Sequence, residues 1–152
     1  MKKIFAVLLL ISALNFKAQY GTINAILNQL EQEKGLNKDL SNVEIKDVQF
    51  VLIKNFADHT ERNILIVKGN DATYVEVFDD KQTGDSSSNV FSGDVVRSNE
   101  HIVSLRADHL EGKKIPMPIV KTFLLTQQKG ILYLIDVNTN ERWIEQSAIT
   151  KK

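Results

Sequence analysis

Ile64-Leu-Ile-Val-Lys-Gly-Asn-Asp-Ala-Thr-Tyr-Val-Glu-Val-Phe78 is the stretch that decides the fold. Two runs rich in β-branched and aromatic residues, Ile64 to Val67 and Thr73 to Phe78, flank Lys68-Gly-Asn-Asp71. Gly69-Asn70 between such runs predicts a two-residue hairpin, because the tight turn that joins right-twisted strands needs positive φ. The same pattern continues on both sides. Val43 to Phe56 alternates, but its apolar set changes phase between Ile45 and Val48, which predicts a bulge or break near Lys46-Asp47. Val90 to Arg97, His101 to Arg106, Ile119 to Thr126, Ile131 to Val137 and Glu141 to Gln146 read as further strands. Ile131-Leu-Tyr-Leu-Ile135 is apolar at consecutive positions, the pattern of a strand covered on both faces.

Short connections make sequence neighbours pair antiparallel. Asp79 to Asn89 reads as an exposed polar loop. Pro116 and Pro118 confine 113–118 to a loop or a sheet edge, since proline cannot donate to a ladder. Asp136-Val-Asn-Thr-Asn140 has the opening of a calcium-binding loop, but Glu141 stands where that loop needs glycine and Ser147 where it needs a bidentate Glu. It is read as a hairpin turn, with Asn140 suited to the left-handed conformation.

One segment speaks helix. In Tyr20 to Gly35, Ile23, Ile26, Leu27 and Leu30 form an apolar stripe at helical spacing. Thr22 suits the N-cap and Gly35 the C-terminal stop. The sum is an α+β chain: an N-terminal helix followed by an antiparallel meander of seven or eight strands. Two architectures fit, a strongly curved sheet with the helix across it or a small barrel plugged or flanked by the helix.

Residues 1–18 have the layout of a secretory signal peptide, with Lys2 and Lys3 ahead of the apolar run Ile4 to Leu14 and a polar stretch ending at Ala18. That run is too short for a membrane-spanning helix, which needs about 20 residues. The expected organisation is a leader over 1–18 and a single domain over 19–152. Location is then periplasmic or extracellular, and the mature chain is expected to be soluble with no membrane span.

Removing the leader takes Lys2, Lys3 and Lys17 from 19 basic residues and none from 19 acidic ones, leaving a net charge near −3. Such a chain lacks the clustered cations that bind nucleic acid. Cysteine is absent, which excludes disulfides, thiol nucleophiles, thiolate metal sites and lipid attachment through cysteine.

Ala57-Asp58-His59-Thr60-Glu61 and Ala107-Asp108-His109-Leu110-Glu111 repeat the pattern Ala-Asp-His-x-Glu in two inter-strand connections. In a meander both connections project from one rim. Asp58, His59, Asp108 and His109 are therefore the candidate metal ligands, through imidazole nitrogen and carboxylate oxygen. Asp is also a common turn residue because its side chain bonds its own backbone. Serine-hydrolase elbows and glycine-rich phosphate loops are missing. Trp143 and Tyr74 are the candidate ligand or partner contacts, since a partly covered aromatic can anchor a bound group.

These features describe an exported, soluble, non-enzymatic binding protein. It would use a sheet face or barrel cavity for an unknown protein or a small apolar ligand, without a cofactor. The alternative is a metal- or carboxylate-dependent hydrolase using the segments at 58–61 and 108–111.

Overall fold

Eight antiparallel strands follow one another around a closed barrel in chain order. They are β1 (Gln49–Asn55), β2 (His59–Lys68), β3 (Asp71–Asp80), β4 (Ser86–Arg97), β5 (Ile102–Leu110), β6 (Lys113–Gln128), β7 (Ile131–Asp136) and β8 (Arg142–Glu145). A four-residue helix, α1 (Ser147–Thr150), follows β8. The computed structural model describes residues 39–98 and 100–150, which all fall in one compact unit, Asn37–Lys152.

The expected α+β class is corrected. Among the described residues the chain is antiparallel β throughout, and their single helix is α1. The helix expected over Tyr20 to Gly35 lies outside the described residues. Pairing of β1 with β8, at Phe50–Glu145 and Val51–Ile144, turns the meander into a cylinder. Closure removes the sheet edges, and the strands' own inward side chains fill part of the concave face. Between the open curved sheet and the closed barrel expected for the meander, the strands form the closed barrel.

The turns follow local chemistry. Gly69 has a φ of 62° in the two-residue loop between β2 and β3. Asp47 has a φ of 58°, so the predicted break before β1 is a left-handed residue that sends 39–48 across one end of the barrel. Leu40 and Ile45 from that segment are buried in the core. Arg97 holds the segment in place, donating through its guanidinium to the backbone oxygens of Leu40 and Val43. Asn140 has a φ of 62°, and Asp136 Oδ1 accepts from the amides of Asn138 and Thr139 at 2.9 and 3.2 Å.

Several strands run past their expected ends. The loop expected over Asp79 to Asn89 shrinks, because Ser86 to Asn89 pair with Asp79 to Glu76 as the start of β4. Pro116 and Pro118 lie within β6, not in a loop. They sit where pairing with β5 jumps from His109–Lys114 to Ala107–Ile119, so no ladder bond is asked of either. Gly93 allows a second irregularity beside the first. A Cβ there would lie 1.9 Å from the Arg106 carbonyl oxygen and 2.6 Å from Ala107 Cα, so only glycine lets β4 and β5 approach this closely.

The core occupies one half of the barrel's length. Phe50, Leu65, Val67, Ala72, Phe91, Val95, Val103, Leu105, Phe123, Leu125, Leu132 and Leu134 fill it together. On β7, Leu132 and Leu134 point inward and are buried. Of the outer-face residues Ile135 is buried while Ile131 and Tyr133 are only half-buried, so the strand expected to be covered on both faces is covered fully on one.

Candidate functional site

The apolar packing stops partway up the barrel, and the change can be followed row by row across the sheet. Phe50, Leu65, Tyr74 and Phe91 are direct partners on β1 to β4 and make an apolar and aromatic tier. One pair of residues further along comes Leu52, Asn63, Glu76 and Asn89. The next tier is Lys54, Glu61, Phe78 and Ser87. Because side chains alternate strictly along a strand, all three tiers face the interior. The polar tiers surround a cavity of about 400 Å³ that opens at the end of the barrel carrying the β1–β2 and β3–β4 loops.

Tyr74 and Trp143 form the cavity floor. Their ring centroids are 6.0 Å apart, Phe91 stacks on Tyr74 at 5.7 Å, and Phe123 meets Trp143 edge-on at 5.5 Å. Tyr74 donates its hydroxyl to Glu76 Oε1 at 2.8 Å. Burial, and then that bond to a carboxylate, push the phenol well above its ordinary pKa, so it remains a donor. Trp143 is 1 % exposed, and its indole Nε1–H has no acceptor among the described residues. Buried donors without partners are uncommon in folded proteins, since each forfeits its bond to water.

Charge on the walls is mostly paired. Lys54 Nζ lies 2.7 Å from Glu141 Oε1 and 3.5 Å from Glu61 Oε2. Its bond to Glu141 raises the lysine and lowers the glutamate, which also accepts from Thr139 Oγ1 at 3.0 Å. Lys121 Nζ lies 3.6 Å from Asp136 Oδ2 and 5.6 Å from the centre of the Tyr74 ring. Glu76 is the one cavity carboxylate with no cation within ion-pair distance among the described residues.

At the rim, His59 is sandwiched between Phe56 and Phe78, with centroids 4.4 and 4.6 Å away. Its Nδ1 shares a hydrogen bond with Asp58 Oδ1 at 2.6 Å, which lowers the Asp58 carboxyl, and its Nε2 is 3.6 Å from Glu61 Oε1. The second Asp-His pair repeats this local geometry. His109 Nδ1 and Asp108 Oδ1 are 2.7 Å apart, and the contact lowers Asp108 likewise. The surroundings differ. Leu110 packs toward the core, which places its neighbour His109 on the outer face, paired with Ser92 and Lys114.

Each expected metal ligand thus meets its own sequence neighbour, and the two pairs do not converge. No group of three or more His, Asp or Glu able to hold a metal occurs among the described residues. The two expected contact residues, Tyr74 and Trp143, do come together, as the floor of one cavity. Sequence reasoning missed Asn63, Glu76, Asn89, Lys54, Lys121 and Glu141. Their signal was polar residues at every second position in line with the apolar core set, from Leu65 to Asn63 to Glu61 and from Tyr74 to Glu76.

Fold and site together define a closed eight-stranded antiparallel barrel, solid at one end and hollow and polar at the other. No helix among the described residues is long and apolar enough to cross a membrane. No protein-family model, curated protein or solved structure matches the chain.

Proposed function

We propose that the protein is a binding protein that holds one small polar ligand in the hollow half of its barrel. The carrying observation is the cavity of about 400 Å³ above a filled apolar base. Eight-stranded barrels either fill completely or hold one small ligand, and the volume falls in the range of about 300–1,000 Å³ usual for ligand pockets. An apolar ligand, the sequence-based expectation, suits the site poorly. It would strip water from Asn63, Glu61, Glu76 and Lys121 and return no hydrogen bond. The protein acts outside the cytosol on this reading, which rests on Lys2, Lys3 and the apolar run Ile4 to Leu14.

Native mass spectrometry of the full chain, expressed with its leader and recovered from the exported fraction, tests both parts. The expected spectrum has a mature mass beginning at Gln19 and a stoichiometric small adduct that chelator does not remove. The adduct is lost in Asn63→Phe, which fills the hollow. A bare wild-type chain would count against binding, and a mass that includes residues 1–18 would count against export.

A further inference from the structure

The hollow end of the barrel carries an ordered row of polar groups. Asn63, Glu76 and Asn89 are direct cross-strand partners on β2, β3 and β4, so an amide, a carboxylate and an amide stand side by side on the inner face. Neither asparagine side chain has a hydrogen-bond partner among the described residues, and Glu76 has only the Tyr74 hydroxyl. The two lysines that face the cavity are held by Glu61, Glu141 and Asp136. What remains unmatched is one negative charge flanked by two amides. A ligand that fills the hollow takes this carboxylate out of water, which is unfavourable unless the ligand supplies the matching cation.

Aromatic rings close the hollow beneath this row. Trp143 is buried, lines the same cavity, and leaves its Nε1–H without an acceptor. Tyr74 touches both features, bonding Glu76 through its hydroxyl and lying 6.0 Å from the Trp143 ring. Trp143 thus supports the floor from below, and Tyr74 links that floor to the carboxylate.

We propose that the ligand is a small organic cation: an amine or guanidinium that pairs with Glu76 between Asn63 and Asn89, above the aromatic floor of Tyr74 and Trp143. The assignment rests on the reading of the hollow as a ligand site and gives that ligand its chemistry. Anions are disfavoured, because Glu61, Glu76 and Glu141 all face the hollow. Neutral polar molecules satisfy the amides but leave Glu76 unpaired. Amino sugars and amino-acid amides share the required chemistry.

Trp143 is the chain's only tryptophan, so its emission reads out this cavity directly. The experiment titrates the full chain with D-glucosamine and L-argininamide as cations, glucose as the neutral counterpart and gluconate as the anion. A saturable change with at least one cation, and affinity at least tenfold weaker for glucose and gluconate, is expected. The two cation arms separate an amino sugar from an amino-acid source. Glu76→Gln should weaken the cation at least tenfold while the circular dichroism of the barrel is retained, and Asn63→Asp should tighten it.

Glucose or gluconate binding as tightly as the cations overturns the assignment, as does Glu76→Gln leaving cation affinity unchanged in a folded chain. If no probe binds while native mass spectrometry finds a small adduct, the cation assignment falls and the barrel's binding role stands. With neither, both fall.

Discussion

Lys54 Nζ sits 2.7 Å from Glu141 Oε1, bridging the seam where the first and last strands of the barrel meet. Backbone pairing across that seam runs through Phe50–Glu145 and Val51–Ile144, below the level of the ion pair. On its other side Lys54 reaches Glu61 at 3.5 Å. A single ammonium thus ties the cavity wall together from β2 to the turn before β8.

Partial exposure limits what this network contributes, so Lys54→Met should cost about 1 kcal/mol at neutral pH. The sign of its pH dependence follows from Glu141, whose carboxyl is lowered from its ordinary 4.5 first by Lys54 and then by burial-opposed bonding to Thr139. A lowered carboxylate contributes stability above its ordinary value and loses it as pH falls through the folded value. Urea midpoints should therefore drop on acidification below 4.5, and Lys54→Met should flatten that drop. Parallel acid limbs in the two proteins would show that the pair does not contribute.

Gly93→Ala should be among the most damaging single changes in the chain. The new Cβ would meet backbone, at 1.9 Å from the Arg106 oxygen, and no side-chain rotation can relieve that. Parting β4 from β5 breaks ladder bonds on both sides, for an expected loss of about 3 kcal/mol or more. Equilibrium denaturation reads this directly, and a midpoint equal to wild type would exclude the close approach.

Tyr74 predicts an alkaline limb. Burial and the bond to Glu76 raise its phenol above the ordinary 10.0. A raised folded value means full stability below the unfolded value and loss as pH climbs above it. Tyr74→Phe should cost about 1 kcal/mol at neutral pH, the usual worth of a lost hydrogen bond, yet should lose less than wild type above 10.0. Phenolate absorbance gives the second check, since one tyrosine should ionise only when the barrel opens.

Trp143 separates packing from hydrogen bonding. Trp143→Ala should cost about 3–5 kcal/mol through the void it leaves. Trp143→Phe loses less area and also removes an unsatisfied donor, whose burial costs about 1–3 kcal/mol, so its net loss should be near 1 kcal/mol. Ligand-free emission should be short in wavelength and shielded from acrylamide. Equal losses for the two variants would mean that the indole nitrogen is not left unpaired.

Strand number, order and several turns were legible because they depend on local chemistry. The phase change at Lys46-Asp47 marked a residue that is left-handed in the structure, and Asn140 was expected to be left-handed and is. The strand ends were read short in a consistent way. Thr60 to Asn63, Ser86 to Asn89 and Lys113 to Pro118 lay outside the predicted strands, yet each continues a strand. Thr60 to Asn63 and Ser86 to Asn89 belong to the hollow half. There the interior is as wet as the outside, so alternation of apolar with polar residues, the usual strand signal, disappears.

By itself, then, the sequence determined that the chain alternates, where several of its turns fall, and that no thiol chemistry is present. Periodicity and turn propensity are properties of neighbouring residues, and they need no partner to act. Only the tertiary structure decided that the meander closes, because pairing of Phe50 with Glu145 joins the two ends of the chain's sheet. Closure in turn decided which polar residues face inward. Glu76 between Asn63 and Asn89 is a row made by register across three strands, and register is set by the whole barrel at once.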